Sequence, residues 1–208
     1  MTHKVVVLGN NGIGKTALEM AFAGCTKLSK YPPTFVKEKF FTGHVVVDGA
    51  ASTVHAWDAQ GALFVANRAL FADTSGILLC FAVDDVASFE QIQRDWAPFL
   101  ARCALLKGRP IVLVATKCDV ADRQVSKEDA RAFAATKEWP YIETSAKDML
   151  NVVEAFQMLF QKSTVSEDEG SDVATEDTMS STLSHGDLVP APQISRGERG
   201  CWISCIMQ

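Results

Sequence analysis

The chain has 208 residues, 48% hydrophobic and 22% charged, with a formal net charge of -5; this fits one globular domain with an appendage and excludes a basic nucleic-acid-binding footprint. The cysteines Cys25, Cys80, Cys103, Cys118, Cys201 and Cys205 show no Cys-x-x-Cys spacing, which favours reduced thiols in a cytosolic protein over a disulfide framework. MTHKVVVLGN is too short in its apolar run for a signal peptide, and no run approaches the roughly 18 apolar residues of a spanning helix.

HKVVVLG (3–9) is rich in branched residues and apolar throughout, as a strand buried on both faces of a parallel sheet is. It runs into GNNGIGKT, Gly9 to Thr16, which matches G-x-x-x-x-G-K-[ST] between a strand and a helix near 15–24. Glycines let backbone N–H groups wrap phosphate oxygens, and the helix N-terminus adds positive dipole. The predicted phosphate-binding residues are Gly9, Asn10, Asn11, Gly12, Ile13, Gly14, Lys15, Thr16 and Ala17. Lys15 is expected to reach the β- and γ-phosphates, and Thr16 to ligate Mg²⁺.

FFTGHVVVDGAASTVHAWD (40–58) carries an Asp48-Gly49 turn signal between strand-like arms and reads as a hairpin. GILLCFAVD (76–84) and RPIVLVAT (109–116) read as further buried strands, with helices near 87–104, 126–137 and 149–162. Strand and helix therefore alternate, which predicts an α/β fold: an open, mostly parallel six-stranded sheet with helices on both faces and ligands outside the strands' carboxyl ends. Two turns follow late strands: TKCD (Thr116 to Asp119), and ETSAK (Glu143 to Lys147) after the short run WPYI. A carboxylate such as Asp119 can accept from guanine N1–H and the exocyclic amine, a pair adenine lacks, so such a site discriminates strongly.

GNNGIGKT, Thr34 in YPPTF, DAQG, TKCD and ETSAK occur in the order found in Ras-like small GTPases, and over residues 3–161 the chain resembles that family, a G domain of the P-loop NTPase class. The resemblance implies GTP/GDP and Mg²⁺ as ligands, with Thr16, Thr34 and Asp58 at the metal. It implies that Lys117 packs along the base and bridges to the phosphate loop. Thr116 stands in the same base loop, Ser145 and Lys147 brace it, and the Ala146 N–H meets guanine O6. Thr116 stands where the Ras branch usually has Asn, and Trp57 before Asp58 looks Rho-like or Rab-like. The segment between Asp119 and Ser145 leaves no room for the extra Rho insert, so the overall resemblance is to the Ras branch.

Departures from the pattern concern the switches. Lys27, with Leu28 beside it, stands where the family usually packs an aromatic on guanine, which predicts faster nucleotide exchange than in relatives. After Thr34 the Ras branch is acidic, whereas Val36-Lys37-Glu38-Lys39 is not, so partners with basic surfaces are expected to bind poorly. In WDAQGALF, Gly61 is expected to offer its N–H to the γ-phosphate, and the next residue, Ala62, replaces the glutamine that orients the attacking water in Ras. Asn11 replaces a glycine that admits an arginine finger, and both changes predict slow hydrolysis. Because the chain is shorter than the Ras pattern between Asp58 and Gly76, a second register is open, in which Gln60 approaches the water. ALFVANRALF also fits an amphipathic helix in either register. A second function class stays open too: a binding module that sits GTP-loaded and recruits partners without turnover.

From 162 to 200 there are eight acidic residues against three basic ones, an excess of five equal to the whole net charge. Apolar residues are too sparse there to offset ordering entropy, so 164–200 is expected to be a disordered acidic Ser/Thr-rich linker after a G domain at 1–163, spanning roughly 35 Å. Its serines and threonines are candidates for phosphorylation. CWISCIMQ (201–208) ends in a C-a-a-X box with terminal Gln, which points to prenyltransferase and a farnesyl group on Cys205. One lipid gives only marginal residence, so Cys201 is the candidate palmitoylation site, with Trp202 as an interfacial aid. The expected placement is the cytoplasmic face of the plasma membrane, as a monomer. Effectors and an exchange factor would meet it through switch regions 28–40 and 58–73.

Overall fold

In a computed structural model of the chain, residues 1–25, 40–47, 49–58 and 71–161 are described. Lys27, Leu28, Thr34, Asp48, Gln60, Gly61, Ala62, Cys201 and Cys205 lie outside the described residues, as do the linker and most of both switch regions.

The element order is β1 (Thr2–Leu8), α1 (Lys15–Phe22), β2 (Phe41–Val47), β3 (Ala50–Asp58), β4 (Gly76–Ala82), α2 (Val86–Gln91), a π turn (Ile92–Trp96), α3 (Ala97–Arg102), β5 (Ile111–Thr116), α4 (Lys127–Thr136), β6 (Tyr141–Glu143) and α5 (Val152–Gln157). Six strands form one sheet in the order β2-β3-β1-β4-β5-β6. The β2–β3 hairpin is antiparallel and every other pairing is parallel, as the alternating pattern implies. Every residue of β4 is buried, because helices cover both faces of the central strands.

Two apolar layers result. On one face, Leu8, Leu79, Phe81 and Leu113 pack with Phe89, Ile92, Trp96 and Phe99 from the α2–α3 segment and Ala130 and Ala134 from α4. On the other, Val5, Val7, Val54 and Cys80 pack with Leu18 and Phe22 of α1 and Phe156 of α5, where Phe22 and Phe156 stack at 3.7 Å between centroids.

Two helices depart from the expected spans. The segment expected as one helix over 87–104 contains a π turn, in which the Ala97 N–H donates to the Ile92 carbonyl. The helix expected over 149–162 starts only at Val152 and tightens to a 3₁₀ turn over Met158–Phe160. Residues 148–151 are held as a loop instead: Asp148 N–H donates to Ser145 Oγ, Ser145 and Leu150 exchange backbone bonds, and Asn151, with φ +53°, donates from its amide to the Glu143 carbonyl. The topology brings the ends of β1, β3, β4 and β5 and the start of α1 to one edge.

Candidate functional site

The phosphate loop links β1 to α1. Gly9 has φ +135°, and a Cβ there would lie 2.2 Å from the Cys80 carbonyl oxygen, so no other residue fits. Gly14, with φ +97°, is the N-cap of α1 and supplies no capping side chain, which leaves the positive end of the helix facing the loop. Lys15 is 5% exposed, and its ammonium donates to the carbonyls of Gly9 (3.0 Å) and Asn10 (2.6 Å), arched over its own loop. Asn11 and Gly12 are exposed at the crest. The Thr16 hydroxyl donates to the Asp58 carboxylate, which joins the end of β3 to the first turn of α1. That hydroxyl and single carboxylate suit Mg²⁺, a hard ion held by one or two carboxylates together with substrate phosphates. Among the described residues no group of three or more His, Cys, Asp or Glu competes for it.

The base loop is braced from three sides. Thr116, 3% exposed, donates its hydroxyl to the Ile13 carbonyl of the phosphate loop, with the Phe81 carbonyl 3.0 Å away as a second acceptor. Threonine thus ties the two loops together in the position where the Ras branch has Asn. Lys117 sits at φ +59°; its Cγ lies 3.9 Å from where a Cβ on Gly14 would be, and its ammonium pairs with Asp84 at 3.1 Å. Its stem therefore runs past Gly14 of the phosphate loop, while its charge is held by Asp84, a residue the sequence pattern does not single out. Asp84 is the second residue after β4, at the carboxyl edge where ligand-facing residues concentrate, and that position is the signal that could have found it.

Asp119 accepts from the Ser145 hydroxyl at 2.7 Å, and Lys147 lies 3.4 Å away. The Ser145 hydrogen bond holds the Asp119 carboxyl below the usual carboxylate range, so it is anionic at neutral pH. Ser145 is fully buried, and Ala146 is half-buried behind it. Arg123 fixes the strand before them through a bidentate pair with Glu143 at 2.9 and 3.0 Å, and the Tyr141 hydroxyl donates to the same carboxylate at 2.8 Å. Although burial pushes Glu143 up, those bonds outweigh it and leave its pKa lowered. Cys118, next to this loop, is not an activated thiolate: burial first, then Glu143 and Asp119, raise its pKa.

Within electrostatic reach of Asp58 and Lys15 lies Glu19, 0% exposed, with neither carboxylate oxygen hydrogen-bonded among the described residues. Burial first, then the Asp58 charge, push its pKa well above the ordinary value. A carboxyl raised in the folded state holds a proton that the unfolded chain has released, so its share of stability is present below the unfolded pKa and lost as pH rises toward the folded one. Glu19→Met, which removes two orphaned oxygens at similar volume, is expected to stabilise the chain by about 1–3 kcal/mol. Urea unfolding at about pH 5 and about pH 8 should show that gain larger at the higher pH. A gain independent of pH would place the burden on packing alone.

Of the residues singled out from sequence, the structure brings Gly9 to Ala17, Asp58, Thr116, Lys117, Asp119 and Ser145 to Lys147 to one edge of the sheet. Sequence profiles of the Ras family match residues 4–165. The chain is 38% identical over 164 residues to the Ras-related protein R-Ras of Mus musculus, covering 76% of this chain and 72% of the relative, and equally to its Homo sapiens counterpart. It is 33% identical over 183 residues to the Ras-related protein Rab-9A of Canis lupus familiaris, covering 85% of this chain and 90% of that one.

Proposed function

We infer from one premise, that this chain belongs to the Ras family and is a GTP-binding switch of signalling, that it holds GTP and GDP with Mg²⁺ and hydrolyses GTP slowly. The observation that carries slow turnover is the pair of substitutions Ala62 and Asn11: the first offers no polar group to the attacking water, and the second places an exposed side chain on the crest of the phosphate loop. Binding rests on the chain's own groups. Resting on the Gly9 and Asn10 carbonyls, the Lys15 ammonium extends its remaining donor capacity to phosphate oxygens, the α1 N-terminus adds its dipole, and Asp119 accepts from guanine. Thr16 and Asp58 would hold Mg²⁺, which neutralises β- and γ-phosphate charge when bound. Thr34 would add its hydroxyl in the GTP state only, and release of its loop after cleavage is the signal to effectors.

Chelating Mg²⁺ from the GDP-loaded full chain should accelerate GDP release about tenfold or more; release insensitive to EDTA would remove the metal from this account. The second reading, a GTP-loaded module that recruits effectors without turnover, is favoured by the same Ala62 and separated from the first by the rate of cleavage. Anchoring follows from CIMQ: farnesyl on Cys205, with palmitate on Cys201 as the second signal at the cytoplasmic face of a membrane. Cys205→Ser is expected to move the full chain from the membrane pellet to the soluble fraction, and Cys201→Ser to weaken pelleting while prenylation persists. Unchanged pelleting of the Cys205 variant would refute the anchor.

A further inference from the structure

Asn10 is the first variable residue of the phosphate loop, and its side chain is turned away from the crest toward the α2–α3 segment. Its amide nitrogen donates to Gln91 Oε1, and its amide oxygen accepts from the Trp96 indole N–H at 3.3 Å. In a regular α-helix the side chains of residues five apart point about 140° away from each other. Gln91 and Trp96 flank the π turn Ile92–Trp96, where the Ala97 N–H reaches back to Ile92, and five residues complete little more than one turn of such a coil. The π turn therefore puts an acceptor and a donor side by side, matched to the two ends of one carboxamide. The backbone carbonyl of the same Asn10 lies 2.6 Å from the Lys15 ammonium, closer than the Gly9 carbonyl at 3.0 Å.

We propose that Asn10 is a positioning residue for nucleotide binding: clamped by Gln91 and Trp96 across the π turn, it fixes the carbonyl on which Lys15 rests and so slows nucleotide release. This rests on the reading of the site as a guanine-nucleotide pocket. Truncating the carboxamide frees the loop at its first turn and lets Lys15 leave the pose from which it meets phosphate, while α1 and the sheet keep their own bonds. Gln91→Glu keeps an acceptor for the Asn10 amide; Gln91→Met keeps the shape and removes it.

The test is release of a fluorescent GDP from the full chain under excess unlabelled GDP, with the melting temperature of each variant alongside. Asn10→Ala and Gln91→Met are each expected to accelerate release about fivefold to tenfold, Gln91→Glu to release like the natural chain, and Asn10→Ala/Gln91→Met to be no faster than Asn10→Ala alone, because both remove one clamp. Release unchanged in Asn10→Ala, with or without a fall in melting temperature, overturns the clamp and leaves the pocket standing. Additive acceleration in the double variant, or acceleration by Gln91→Glu equal to that of Gln91→Met, also overturns it. A natural chain that retains no guanine nucleotide overturns the pocket and the clamp together.

Discussion

Asp119→Ala is expected to weaken GDP binding by about 10²–10³-fold, the loss of two hydrogen bonds to a charged acceptor. The carboxylate is preset for this role: Ser145, fully buried, donates to one oxygen at 2.7 Å, and the Lys147 ammonium stands 3.4 Å from the other. Alanine removes the acceptors for guanine N1–H and amine together, so the variant should also lose discrimination between guanosine and inosine diphosphates, which differ by that amine. Isothermal titration with both nucleotides reads both effects. The fold should survive, since β5, β6 and the Arg123–Glu143 pair do not depend on Asp119. A variant that binds GDP as tightly as the natural chain would place the base elsewhere.

Ala62→Gln is expected to raise single-turnover GTP cleavage by about tenfold or more, the lower part of the range for a positioned group that orients or activates water. Adding Asn11→Gly should raise it further, because a glycine at the exposed crest clears the approach to the γ-phosphate. The two changes act on the same few atoms, so their effects should not be additive. Neither should alter GDP affinity much, as the Lys15, Thr16 and Asp119 contacts are untouched. If Gln at position 62 adds nothing while the natural chain already cleaves well, Gln60 is the residue at the water and the shortened switch is read in the other register.

Strands were legible because burial on both faces leaves an unbroken apolar run: GILLCFA needs no periodicity to be recognised. The hairpin was legible from Asp48-Gly49, and the site from motifs whose spacing is fixed by where strands end. The π turn was not, because one extra residue in a coil leaves Phe89, Ile92, Trp96 and Phe99 all apolar and all buried, as a uniform helix also would. Asn10 to Gln91 and Trp96 is a pairing across more than 80 positions that no local pattern records. Glu19 escaped for a related reason. In KTALEMAF a glutamate looks like the solvent face of an amphipathic helix, yet α1 is sandwiched between the sheet and α5, and the polar position faces inward. Asp84 and Lys117 likewise meet only because β4 and β5 are neighbours.

The most direct test of the central claim is a single-turnover experiment on the natural full-length chain loaded with GTP and Mg²⁺, with cleaved phosphate and released nucleotide followed in the same sample. A GTP-binding switch with slow hydrolysis predicts that intact GTP leaves the protein before most of it is cleaved, and that Ala62→Gln reverses the order. Cleavage that outruns release in the natural chain and is unchanged in the variant would contradict it.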